Sequence, residues 1–147
     1  MNDSILDKTL ILGYHEQEQG IYVKSVSAIS ADARLTEYFL CTDVSARFLV
    51  AQMMEYVPDK TREDENTLQY IGVRFLNSLL SSVRLMLNGY YQSSVAQMRD
   101  LAEIGLLLEY FSIWPEHIEK WWSSDHKARM KHYGPAALRR GLNEHEG

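Results

Sequence analysis

The residues best suited to chemistry are Arg99 and Glu103, which interrupt a long apolar stretch of the chain. They are four positions apart, so a helix places both on one face. Because an unpaired charge among large apolar side chains is very costly, we expect both to be buried and hydrogen-bonded. Arginine before glutamate is the weaker order for a local pair, so each should also bond a neighbouring helix. The polar candidates there are Asn77, Ser78, Ser81 and Arg84.

A second candidate site is a group of basic residues late in the chain. They are Lys127, Arg129, Lys131, His132, Arg139 and Arg140. Aromatic residues are interleaved with them at Trp121, Trp122 and Tyr133, and aromatic rings can stack on nucleic-acid bases. The group either contacts RNA or a nucleotide, or it is a solvated face with charges favourably placed near helix ends. We favour the solvated face.

No metal or cofactor motif is present, so we expect neither group. The five histidines occur in no Glu-x-x-His or His-Glu-x-x-His pattern. The chain has no phosphate-binding loop, no dinucleotide fingerprint and no Gly-x-Ser-x-Gly. Cys41 is the single cysteine, which excludes an internal disulfide and a cysteine-based zinc site. Its apolar neighbours predict a buried, inert thiol.

The composition is typical of one globular domain that spans residues 1–147. Hydrophobic residues make up 46% of the chain, enough for a substantial core. The formal net charge of -5 argues against a general nucleic-acid coat, which is normally basic. The N-terminus lacks the pattern of a signal peptide, and the most apolar run is too short and too charged to span a bilayer. We therefore expect a cytoplasmic protein that is not in the membrane.

The first part of the chain has a weak pattern. Residues 1–29 place two short apolar runs around a polar stretch, which fits a small hairpin or a frayed helix, and we treat them as an irregular N-terminal segment. Helix one should begin with Ser30 as N-cap and Asp32 in its first turn. Pro58 should end it. Residues 59–66 then read as a charged connector.

The rest of the chain predicts helices with short connections. Helix two should run from Thr67 to a stop signal at Asn88-Gly89, and helix three should begin near Tyr91 as its antiparallel neighbour. Residues 101–114 are apolar nearly all round, so helix three should be central.

Helix four should begin at Pro115 and run to Tyr133. Gly134 and Pro135 should end it, and a short fifth helix should follow over residues 135–140. The predicted fold is all-α. It is an antiparallel four-helix bundle with a short fifth helix and an irregular N-terminal segment.

One family resemblance covers about a third of the chain, from Gly89 to Leu142. This stretch resembles a group of bacterial all-helical proteins with an Arg-x-x-x-Glu on a helical hairpin of small residues, then a Trp, then a basic segment ending in Phe/Tyr-x-Pro and Arg. The matching residues are Gly89, Arg99, Glu103, Trp121 or Trp122, Tyr133, Pro135 and Arg139. The group is similar to the HEPN superfamily of nucleotide- and RNA-associated helical bundles. The resemblance implies a toxin–antitoxin or defence setting.

The same resemblance raises a catalytic alternative. HEPN ribonucleases carry Arg-x(4–6)-His on a late helix, and Arg140 with His145 fits this spacing, as does Arg139 with His145. Such an enzyme needs no metal, and it would use the arginine to stabilise phosphate charge and the histidine to transfer a proton. Gly141 weakens a helix at this point, and His145 is close to the end of the sequence. We therefore expect no complete active site.

The leading hypothesis for function is a non-catalytic interaction module that forms a homodimer and binds a protein partner. Helix one and the C-terminal aromatic residues offer more apolar surface than a core of this size needs, and two-fold dimers are the commonest oligomers. The HEPN-like ribonuclease is the first alternative. The second is a nucleotide or small-anion binding protein, with Arg99 and Glu103 as a polar pocket. In the leading hypothesis that pair is a structural pin.

Overall fold

The computed structural model describes residues 10–57 and 63–146. This part of the chain contains α-helices and no β-strand. The seven helices are α1 (Leu10–Ala31), α2 (Ala33–Glu55), α3 (Glu63–Leu87), α4 (Tyr91–Ile113), α5 (His117–Ser123), α6 (His126–Tyr133) and α7 (Pro135–Glu146). The prediction of an all-α fold is confirmed.

The N-terminal segment differs from its prediction. Residues 10–29, expected to be irregular, belong to helix α1, while residues 1–9 lie outside the described part. The next helix is capped by Asp32, not by Ser30, because the Asp32 carboxylate accepts hydrogen bonds from the backbone N–H groups of Arg34 (2.9 Å) and Leu35 (3.1 Å). These bonds satisfy donors that a helix start leaves free.

The charged connector is shorter than predicted. α3 begins at Glu63, four residues before the expected Thr67, so residues 63–66 are helical. Three acidic residues, Glu63, Asp64 and Glu65, occupy its first turn, where the positive end of the helix dipole favours negative charge. Pro58 and the remainder of the predicted connector lie outside the described residues.

α3 and α4 form the antiparallel hairpin that the stop signal predicted. Gly89 adopts φ +85, the left-handed conformation that glycine enters at little cost. The N–H of Tyr90 bonds the carbonyl of Leu85 at 2.8 Å, which closes the end of α3. Beyond the turn, the buried hydroxyl of Ser94 donates to the carbonyl of Ser82 at 2.8 Å and ties the two helices together.

The predicted fourth helix is broken into α5 and α6. α5 begins at His117, two residues after Pro115, and ends at Ser123. Asp125 then caps α6, accepting from the backbone N–H of Ala128 at 2.7 Å. The turn at Gly134 ends α6 as predicted, but α7 continues past residue 140 to Glu146.

The hydrophobic core is formed by α3, α4, α5 and α7. Its buried residues are Ile71, Ile104, Leu107, Phe111, Ile118, Trp121 and Leu138. α4 contributes three of these residues and packs against α3 and α7, as expected of a central helix. Of the N-terminal helices, α2 runs antiparallel along α3. The Met53 methyl group lies 3.2 Å from the position that a Cβ on Gly72 would take.

Candidate functional site

Arg99 and Glu103 form a surface contact. Arg99 Nε donates to Glu103 Oε1 at 3.2 Å, and the two side chains are 82% and 39% exposed. The prediction of a buried pair is therefore wrong. Within the described residues neither side chain bonds α3, because Arg99 points away from the buried stripe of α4. The pair is an exposed local contact and not the wall of a buried polar pocket.

A link between side chains of α3 and α4 is made by the neighbouring residue, Asp100. Its carboxylate accepts a hydrogen bond from the hydroxyl of Ser78 at 2.8 Å and forms an ion pair with Arg74. Asp100 precedes Ile104 by four positions and Leu107 by seven, so it lies on the stripe that faces the core. That phase was readable in the sequence. Asp100 is thus the structural pin that had been expected at Arg99.

Arg129, predicted as a ligand contact, is used by the fold. Its Nε donates to the carbonyl of Trp121 at 2.9 Å, and its Nη2 donates to the carbonyl of Trp122 at 2.6 Å. These carbonyls belong to the last turn of α5, where the helix leaves carbonyl oxygens without backbone N–H donors of its own. The guanidinium also lies 4.6 Å from the centroid of the Trp121 ring, a cation–π contact. Arg129 therefore fastens α6 to α5.

The other predicted basic contacts remain in solvent. Lys127, Lys131, His132 and Arg139 are exposed, and within the described part of the chain none of them has an ion-pair partner. Lys127 and Lys131 are four residues apart and share a face of α6. This arrangement is a small basic face, and Arg139 is on the next helix.

Arg140 and His145 lie on one continuous helix, contrary to the expectation that Gly141 would weaken it. The reason is tertiary. A Cβ at Gly141 would lie 3.1 Å from Tyr110 Cε2, so glycine lets α7 approach α4 closely. Five positions on a helix correspond to about 140° of rotation. Arg140 and His145 are both exposed and diverge, and the His145 ring packs edge-on against Trp114 with centroids 5.4 Å apart.

A polar–aromatic cluster was not foreseen from the sequence. His117 Nδ1 and the Tyr133 hydroxyl are 3.0 Å apart, and the Tyr110 ring stands edge-on to both rings, with centroids 5.2 Å and 6.2 Å away. Burial raises the pKa of Tyr110, and the negative charge of Glu116 raises it further. Burial also raises the pKa of Tyr133, with Tyr110 a smaller cause. Both phenols therefore stay neutral, as a structural cluster requires.

The most extensive feature left without a structural role is the apolar surface of α1 and α2. Among the side chains described in these helices, Ala46 alone is buried. The exposed large apolar residues are Tyr14, Ile21, Tyr22, Val23, Val26, Leu35, Tyr38, Phe39, Leu40, Val44, Phe48, Val50 and Met54. Cys41 is exposed among them, so the prediction of a buried thiol is wrong. Exposed apolar patches of this extent mark interaction sites in native proteins.

Two clefts separate these helices from the α3–α4 hairpin. Residues of all four helices line each cleft; one has a volume of about 930 Å³, and the other, which is more apolar, has a volume of about 430 Å³. Two of the hydroxyls in the second cleft are bonded to backbone: Thr42 donates to the Tyr38 carbonyl at 2.9 Å, and Ser82 donates to the Leu79 carbonyl at 2.8 Å. Protein interiors are normally close-packed. Clefts of this size therefore mean that α1 and α2 are packed loosely against the hairpin.

Among residues 10–57 and 63–146, no three His, Cys, Asp or Glu side chains cluster in a way that could hold a metal ion. No helix in those ranges has the length and hydropathy that crossing a membrane demands. Comparison of the chain with protein-family models, with curated proteins and with solved structures finds no match.

Proposed function

We propose that this chain is a non-catalytic helical interaction module that forms a homodimer through the apolar surface of α1 and α2. The observation that carries the proposal is the contrast between the two halves of the chain. From α3 onward the chain has an apolar core, whereas among the side chains described in α1 and α2 no large apolar one is buried. Burial of apolar area contributes about 25 cal/mol per Å², so leaving that area in water forgoes stabilisation that a partner supplies.

A second copy of this chain is the simplest partner for the apolar surface of α1 and α2, because it requires no other protein to be present. Two-fold dimers are the commonest oligomers, and a stable interface buries roughly 800 Å² on each partner. Surfaces more apolar than the average are typical of homodimers. The residues on α1 and α2 supply both aromatic and aliphatic groups for such a contact.

The proposed setting rests on the sequence resemblance. The HEPN-like pattern that includes Arg99, Glu103 and Tyr133 favours a bacterial toxin–antitoxin or defence protein with a second protein as partner. The net charge of -5 is consistent with a protein-binding role in the cytoplasm rather than a coat on nucleic acid.

The test is the mass of the purified chain by size-exclusion chromatography with light scattering. We expect the parent to elute as a dimer, and a variant with Leu40→Glu and Phe48→Glu to elute as a monomer. Met130→Glu is the matched control, because Met130 is also exposed but lies on α6. A parent mass of 17.0 kDa at all micromolar concentrations would contradict the proposal.

A ribonuclease remains the second candidate, favoured by one observation. α7 is continuous, so Arg139, Arg140 and His145 lie on one helix, and the weakness expected at Gly141 is absent. The test is incubation of the purified protein with mixed RNA, beside a His145→Ala variant. Cleavage by the parent that disappears in the variant would replace the non-catalytic proposal. Salt-sensitive binding without cleavage would assign the face of Lys127 and Lys131 to RNA.

A further inference from the structure

The face of α2 that is turned away from α3 carries an apolar stripe. Leu40, Val44 and Phe48 follow one another at intervals of four residues, so they lie along one line of the helix. They are 57%, 65% and 63% exposed. Ala46, on the opposite face, is buried against the rest of the molecule. α2 thus has two apolar faces, and within the described part of the chain only one of them is covered.

The charges at the two ends of α2 indicate what covers the other face. Arg34 lies in the first turn and Glu55 is the last residue of the helix. Both are placed against the helix dipole, which favours acids at the start and bases at the end. Neither has an ion-pair partner among residues 10–57 and 63–146. An antiparallel helix of the same sequence would correct both placements at once.

We propose, resting on the homodimer proposed above, that α2 pairs antiparallel with α2 of a second copy about a two-fold axis at Val44. Val44 lies ten positions after Arg34 and eleven before Glu55, close to the midpoint between them. Leu40 then packs on the partner's Phe48, and Arg34 lies beside the partner's Glu55. A parallel pair would instead place like charges together at each end, which is destabilising.

The first test exchanges the charges. Arg34→Glu and Glu55→Arg should each weaken the dimer about tenfold, because two exposed pairs change from attraction to repulsion. The double variant should restore the parent affinity to within about threefold. Each single change improves the charge placement on the monomeric helix, so lost association will not reflect unfolding. A double variant as weak as either single variant would overturn the antiparallel geometry.

The second test uses a cysteine at the proposed axis. In a Cys41→Ala background, Val44→Cys should form an intermolecular disulfide rapidly, because the two Cβ atoms at the axis come within disulfide range. Val23→Cys on α1, which is 58% exposed, is the control and should cross-link slowly. Faster cross-linking at position 23 than at 44 would refute the α2 interface.

The two proposals fail differently. If the parent chain sediments as a monomer, the homodimer and the α2 interface both fall. If the parent is a dimer but the charge exchange and the Val44 cross-link both fail, the homodimer stands and its interface lies elsewhere on α1 and α2.

Discussion

Replacing Asp100 by alanine should destabilise the fold, whereas replacing Glu103 should not. Both are acidic residues of α4, and both have an arginine partner. Asp100 also accepts from Ser78, whose hydroxyl is buried between the helices. Among the residues that the structure describes, the partner of the Glu103 carboxylate is the exposed Arg99, four positions earlier on its own helix. The pair of variants therefore separates a link between helices from a contact within one helix.

The size of the difference follows from burial. A hydrogen bond to a charged group contributes roughly 1.5–3 kcal/mol, and the half-exposed ion pair with Arg74 adds only a few tenths because water screens it. Alanine is a better helix former than aspartate and returns roughly 0.5 kcal/mol. We expect a net loss of about 1.5 kcal/mol for Asp100→Ala. For Glu103→Ala we expect less than about 0.5 kcal/mol, as for exposed helical pairs.

The assay is denaturant unfolding followed by circular dichroism, at a fixed protein concentration so that association does not shift the midpoint. Arg74→Ala is the control for the exposed half of the link and should cost no more than about 0.5 kcal/mol. Equal losses for Asp100→Ala and Glu103→Ala, or a larger loss for Glu103→Ala, would refute the assignment of Asp100 as the polar link.

Three further outcomes test the packing around the C-terminal core. Gly105→Ala should stabilise the fold by about 0.5–1 kcal/mol, because a Cβ at this position would meet nothing within 4 Å. Gly141→Ala should give no gain, because a Cβ there would meet Tyr110. Thermal unfolding of the two variants compares them. Tyr110→Phe should reduce the loss of stability at alkaline pH. Folding raises the pKa of Tyr110, so its contribution to the free energy of unfolding is complete below about pH 10 and is lost as the pH rises further. Unfolding curves at a series of pH values measure this. Arg129→Lys should destabilise by about 1–2 kcal/mol, since lysine cannot reproduce the two carbonyl bonds and the ring contact, and denaturant midpoints measure this.

Local chemistry made part of the fold predictable. The turn at Gly89 needs a left-handed residue, and Gly134 with Pro135 interrupts a helix wherever it occurs. Such signals act over a few residues, so they were readable without knowledge of the neighbours. The break before α6 had a signal of the same kind, the cap at Asp125, which the prediction of one helix from Pro115 to Tyr133 did not use.

Burial was predicted less well because it depends on which face of a helix has a neighbour. Arg99 and Asp100 are adjacent, yet one lies in solvent and the other faces α3. The phase relative to Ile104 distinguishes them, whereas the average apolarity of the stretch does not. The prediction that Cys41 is buried was wrong for the same reason. Its neighbours in the sequence are apolar, but the helix face that carries it is exposed.

Contacts between distant residues were beyond local reasoning. His117 and Tyr133 are 16 positions apart and meet only because α5 and α6 fold back on each other. Gly141 looked like a helix breaker, yet Tyr110 on another helix gives it a packing role. No pattern along the chain encodes either contact.

Sedimentation equilibrium of the parent chain beside Val44→Glu tests most directly whether the apolar N-terminal surface is an interface. Val44 is exposed, so a charge there should leave the monomer folded. We expect the parent to approach twice the chain mass of 17.0 kDa at micromolar concentrations and the variant to remain at 17.0 kDa. A monomeric parent, or a variant that dimerises as strongly as the parent, would contradict an interface centred on Val44.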